Sequence, residues 1–169
     1  MKHLKGIVAA VVLFVATTGF VNAQNKVAHI NVTELMSQMP EMKAAEAELK
    51  KLEETYGADI QSSMTELQNK YKQYQSEAAS KSDEENQKRG AELQGFEKTI
   101  QEARQKASQE LQTKQIALLG PISDKAKAAI EKVAGVQGMN YVLDSSQGSG
   151  VIVATGTDLL PLVKKELGF

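Results

Sequence analysis

Cysteine and tryptophan are absent from this 169-residue chain, and histidine occurs only at His3 and His29. Without cysteine there is no disulfide framework, no thiol nucleophile and no zinc centre of the usual nitrogen and sulfur ligands. Aromatic residues make up only 5% of the chain, which argues against a large compact core and for long, thin helices. An excess of one charge is missing too: 20 Lys+Arg stand against 21 Asp+Glu, so an electrostatic nucleic-acid binder is excluded. The segments Asp144-Ser145-Ser146 and Gly148-Ser149-Gly150 carry neither a GK[ST] phosphate loop nor a GxSxG elbow, and a hairpin turn explains them. His29 stands alone in its strand and reads as an ordinary sheet or interface residue. No catalytic, cofactor-binding or metal-binding residue is assigned, no cofactor is expected, and the chain is read as not an enzyme.

The N-terminus carries Lys2 and Lys5, an apolar run Ile7–Val15, and Val21-Asn22-Ala23, the order of a signal peptide cleaved after Ala23. Residues 1–23 are therefore expected to be a removable address and the protein to be periplasmic, with no integral membrane segment once the signal is gone. Loss of Lys2 and Lys5 leaves 18 basic against 21 acidic residues, a net charge of −3.

Residues 26–32 (KVAHINV) alternate in polarity as a half-buried strand does. Asn31 or Thr33 can cap a following helix, and Pro40 restarts it, since proline is tolerated where no N–H partner is needed. Proline is then missing from Glu41 to Leu119, so nothing interrupts a long helical stretch. Apolar residues recur there every three or four positions: Leu52, Tyr56, Ile60, Met64, Leu67 and Tyr71 in a first stripe, Leu93, Phe96, Ile100, Ala103, Ala107 and Leu111 in a second.

An antiparallel hairpin requires the numbers of facing residues to add to a constant total. Tyr71 with Leu93, Leu67 with Phe96, Met64 with Ile100 and Leu52 with Leu111 meet that condition to within one residue. Half the total places the reversal at Lys81 and Ser82, where the sequence is polar and Ser82 or Asp83 can cap the returning helix. Two arms of roughly 40 residues, each spanning ~60 Å at the helical rise, must project from whatever body the rest of the chain makes.

The arm is assigned to residues 41–119, with its tip near 80–84. A body is assigned to 24–40 and 120–169, with Gly120-Pro121 breaking the returning helix and strands expected at about 26–32, 140–144 and 151–154, the last two as a hairpin. Leu159, Leu160, Leu162, Val163 and Leu167 give a last apolar-faced helix after Asp158. A body this small favours self-association, and Val27, Ile30, Val32, Val142, Val151 and Val153 are the candidate interface residues. Met36, Met39 and Met42, adaptable apolar side chains, and Tyr74, on the seam's edge, are candidate contacts for a bound partner, with packing as the plainer reading. The fold class is α+β, mostly helical.

These elements, in this order, resemble the Skp/OmpH family of periplasmic chaperones, and most closely its Bacteroidetes-type branch. HINVTELMSQMP (residues 29–40), PISDKAKAAIEKVA (121–134), GMNYVLDSS (138–146) and DLLPLVKKELG (158–168) carry the likeness. The resemblance implies a homotrimer whose coiled-coil arms enclose a cavity, an ATP-independent holdase, and unfolded outer-membrane β-barrel proteins as clients. The net charge of −3 departs from the strongly basic family members, so no lipopolysaccharide site is carried over. A different class also fits the hairpin: a structural adaptor in the cell envelope that docks a folded partner through the tip.

Overall fold

The structure, a computed structural model, describes residues 26–169; the expected signal peptide lies outside the described residues. The first strand, β1 (Val27–Ile30), buries Ala28 and Ile30 on one face and leaves Val27 and His29 on the other. Helix α1 (Val32–Gln38) follows at once, because the Asn31 side chain accepts the Glu34 N–H at 2.9 Å and closes its first turn. Met39 is extended, as the residue before proline must be, and Pro40 opens helix α2 (Pro40–Glu77).

At 38 residues α2 spans about 57 Å, longer than a domain of this size can enclose. A turn of 3-10 helix (Ala78–Ser80) ends it. Ser82 then caps α3 (Asp83–Val136), its hydroxyl accepting the Glu85 N–H at 3.2 Å, with Asp83, Glu84 and Glu85 in the first turn where the helix dipole favours acids. The reversal therefore falls at Lys81 and Ser82.

Strands β2 (Tyr141–Asp144) and β3 (Thr157–Asp158) flank β1 in a sheet of order β2-β1-β3, both parallel to it. The hairpin thus serves as the crossover between two parallel neighbours, a link that two parallel strands always require in some form. Helix α4 (Leu160–Leu167) closes the chain; the Asp158 carboxylate accepts the Leu160 N–H at 2.9 Å, and Gly168, at φ 88°, makes the left-handed turn that ends it.

One core binds both chain ends to the root of the arm. Ile30, Leu35, Met39, Leu159 and Val163 are fully buried there, against Ile122, Ala126, Ala129 and Val133 of α3. The last four repeat at helical spacing and keep α3 seated on the body.

The structure corrects several expectations. Gly120-Pro121 does not break the returning helix: α3 runs 54 residues through Pro121. Proline removes one hydrogen bond and crowds the preceding residue, but that residue is Gly120, which has no Cβ to clash, and the buried stripe from Ile122 onward rewards continuation. The expected boundary at 119/120 consequently falls inside one helix. Residues 151–154 form no strand; β3 lies three residues further on, and as both outer strands run parallel to β1, the expected hairpin is impossible. Val32 opens α1 instead of ending β1.

Candidate functional site

The flank of the arm is built by two helices, each of which can cover only one side of the other. Among the seam residues Leu93 and Ile100 are buried, while Leu52, Tyr56, Ile60, Met64, Leu67, Phe96 and Leu111 are half-buried. Tyr71 is a correction: at 54% exposure it points away from the seam, and Lys70 takes the slot assigned to it. From Leu67 the seam advances by three residues, not four, then reaches Tyr74.

Where the seam contains small residues it is hollow. A cavity of about 200 Å³ lies among Tyr56, Ile60, Ser63, Ile100, Ala103 and Ala107, and a second of about 410 Å³ continues it past Leu52, Thr55 and Lys114. Tyr56 stands between them, its hydroxyl donating to the Glu110 carboxylate, which raises the tyrosine's pKa above its ordinary value. Together the hollows form a groove with an apolar floor and a rim of both charges.

Polar bridges tie the two helices together along the whole arm. Lys125 pairs with Glu41 at the root, Lys114 with Glu48 at 2.7 Å, Lys70 with Glu92 at 2.9 Å, and Arg89 with Glu77 at 2.8 Å near the tip. Hydrogen bonding from Lys125 holds the Glu41 carboxyl below its ordinary value; bonds from Lys70 and Tyr74 do the same for Glu92, and bonds from Gln73 and Arg89 for Glu77.

The candidate partner contacts fare unequally. Met39 is fully buried in the body core, and Met36 and Met42 pack half-buried against it, so Met39 is withdrawn as a contact. Tyr74 is half-buried and engaged within the arm: its hydroxyl donates to Glu92 at 2.8 Å and its ring lies 4.6 Å from the Arg89 guanidinium. Sequence reasoning missed this cluster because its members are charged, and apolar periodicity has no way to mark them.

On the body, Ile30 is buried inside its own subunit and Val142 is half-buried. Val27 and Tyr141 are register partners, as are His29 and Leu143, so Val27, Tyr141 and Leu143 share the sheet face turned away from the core, and all three are exposed. Val151 is half-buried in the loop before β3, beside Ile152 at 97% and Val153 at 74% exposure. The sequence did not single out Tyr141, Leu143 or Ile152, although alternation along NYVLD could have marked the first two.

Beside β2 a polar knot fixes the strand. Asp144 accepts from the Ser146 amide at 2.8 Å and hydroxyl at 2.6 Å, and from the Val32 amide at 3.3 Å, while the Ser146 hydroxyl accepts the Thr33 N–H at 3.0 Å. Burial disfavours the ionised carboxylate, but these donors outweigh it and hold Asp144 below its ordinary value. Among the described residues no group of three or more His, Cys, Asp or Glu side chains is placed to hold a metal ion, and no helix is long and apolar enough to cross a membrane.

This geometry defines a class: a small body of sheet and helices from which a long helical hairpin projects. Residues 26–167 match the family of OmpH-like outer membrane proteins, and the chain belongs to that family. Among solved structures it is similar to a protein from Caulobacter crescentus CB15 described as an outer membrane chaperone (OmpH-like), at a TM-score of 0.76 and 20% identity over 86% of this chain and 85% of that one. At that identity the likeness is one of fold. No curated protein sequence matches the chain.

Proposed function

We propose that this protein is an ATP-independent periplasmic holdase, a homotrimer whose arms hold unfolded outer-membrane β-barrel proteins between them. Membership of the OmpH-like family, together with a fold shared with a protein described as an outer membrane chaperone, supports a chaperone role. The observation that carries the assembly is the body's unpartnered apolar surface: Val27, Tyr141 and Leu143 on the open sheet face, and Ile152 and Val153 in the preceding loop of β3. A face of this kind on a small body is where copies of a chain meet. With the bodies joined, the arms stand side by side, and many weak contacts along them hold a client through effective concentration. Unfolded barrel proteins need such holding because their strands have unpaired edges and lipid-facing apolar residues until they insert.

The test is dilution of a urea-unfolded outer-membrane barrel protein into buffer with and without this protein. Lower turbidity in its presence is the expected outcome; equal turbidity would sink the reading.

A further inference from the structure

The outer end of the arm is closed by different chemistry from the rest. Beyond Leu93, the outermost buried residue of the seam, the facing positions are Lys70, Tyr74 and Glu77 on α2 and Arg89 and Glu92 on α3. Arg89 occupies the place an apolar residue would hold: its side chain is only 13% exposed, it bonds Glu77 at 2.8 Å and Glu85 at 3.4 Å, and its guanidinium lies over the Tyr74 ring. Tyr74 and Lys70 both reach Glu92, at 2.8 and 2.9 Å. The Arg89 Nη1 atom is buried without an acceptor, so closure leaves one strong donor unsatisfied. Gly90 within this layer and Gly95 just inside it, weak helix formers with open space around them, lie on α3.

We propose that this network is an ionic clasp, and that the arm's outer end, from Lys70 around the tip to Glu92, opens as a separate unit when the clasp is screened. Apolar contacts strengthen or hold steady as salt rises, whereas ion pairs open to solvent on their carboxylate side weaken progressively as the Debye length shortens, from about 10 Å at 0.1 M to about 3 Å at 1 M. The inner seam has ion pairs of its own, Lys114–Glu48 and Lys125–Glu41, but rests on buried Ile100 and Ala107 as well; the outer end has no buried apolar layer, so it loses the larger share of its contacts as salt rises. Opening uncovers Leu93 and the adjoining half-buried Phe96 and Leu67, so the clasp sets how much apolar surface the arm's end presents.

Amide hydrogen exchange on the assembled protein tests this directly. Between about 50 and about 500 mM NaCl, exchange across residues 70–92 is expected to quicken about three- to tenfold, and exchange around Ile60 and Leu111 to change less than about twofold. Arg89→Met, which keeps bulk and removes charge, should exchange at the high-salt rate in low salt and lose the salt response; Glu92→Gln should shift part of the way. Salt-independent exchange at the tip of the unaltered protein, equal quickening along the whole arm, or full low-salt protection in Arg89→Met would each overturn the clasp.

Discussion

Body and arm differ in how completely each can surround a side chain. In the body, sheet and helices meet from several directions, and Leu35, Met39, Leu159 and Val163 reach 0% exposure. In the arm, two helices face each other alone, and the best-covered large residues, Leu93 and Ile100, keep 9% and 6%. The arm makes up the difference with cross-helix ion pairs and tyrosine hydroxyls, which hold register but contribute little individually at exposed positions. A body stabilised by burial and an arm stabilised by register should melt, titrate and tolerate mutation differently.

The largest expected effect separates them by packing. Leu35→Ala removes a fully enclosed side chain and is expected to cost about 2–5 kcal/mol, read from the denaturant midpoint of the full chain. Pro121→Ala acts at the junction: it restores an N–H to the middle of α3 and should stabilise by up to about 3 kcal/mol, merging arm and body into one sharper cooperative transition in calorimetry. Ile100→Ala, in the thin seam, should cost about 2 kcal/mol, the lower end for such truncations, because two helices alone can close on the space it leaves. A loss as large as that of Leu35→Ala would show that the arm has a core of the body's kind.

The smallest effect is pH dependence, and it belongs to the arm. Glu41, Glu77 and Glu92 have carboxyls held below their ordinary values, so their contribution is present above the unfolded-state value and is lost as pH falls through the folded one. Tyr56 and Tyr74 are raised by their bonds to Glu110 and Glu92, and Lys70 by its bond to Glu92, so those contributions are present below the unfolded values and are lost as pH rises through the folded ones. Arm helicity followed by circular dichroism should therefore decline at both the acid and the alkaline end. In the body Asp144 is held low, which gives an acid limb there. Loss of arm helicity at the acid end alone would break this account of the arm.

The hairpin was legible because antiparallel helices impose arithmetic on the chain. Polar residues obey the same register: Lys70 with Glu92, Tyr56 with Glu110 and Glu48 with Lys114 all pair near the total that the apolar stripes set. The caps at Asn31 and Ser82 were legible for a local reason, since a side-chain oxygen three residues before a free amide has one obvious partner. Pro121 misled because its neighbour's missing Cβ matters more than the proline itself. Residues 151–154 misled because strand propensity describes a surface that suits a sheet, and within one subunit no strand edge meets them. The Arg89 cluster was invisible to hydrophobic periodicity, although its charges and Tyr74 fall on the same register as the seam.

Native mass spectrometry of the chain from Gln24 onward, alone and after mixing with an unfolded outer-membrane barrel protein, tests the central claim most directly. A trimer that gains one client is the predicted result. A monomer or dimer that ignores the client would leave the hairpin standing as a structure, contradict the cage of arms, and turn attention to an adaptor that docks a folded partner at the tip.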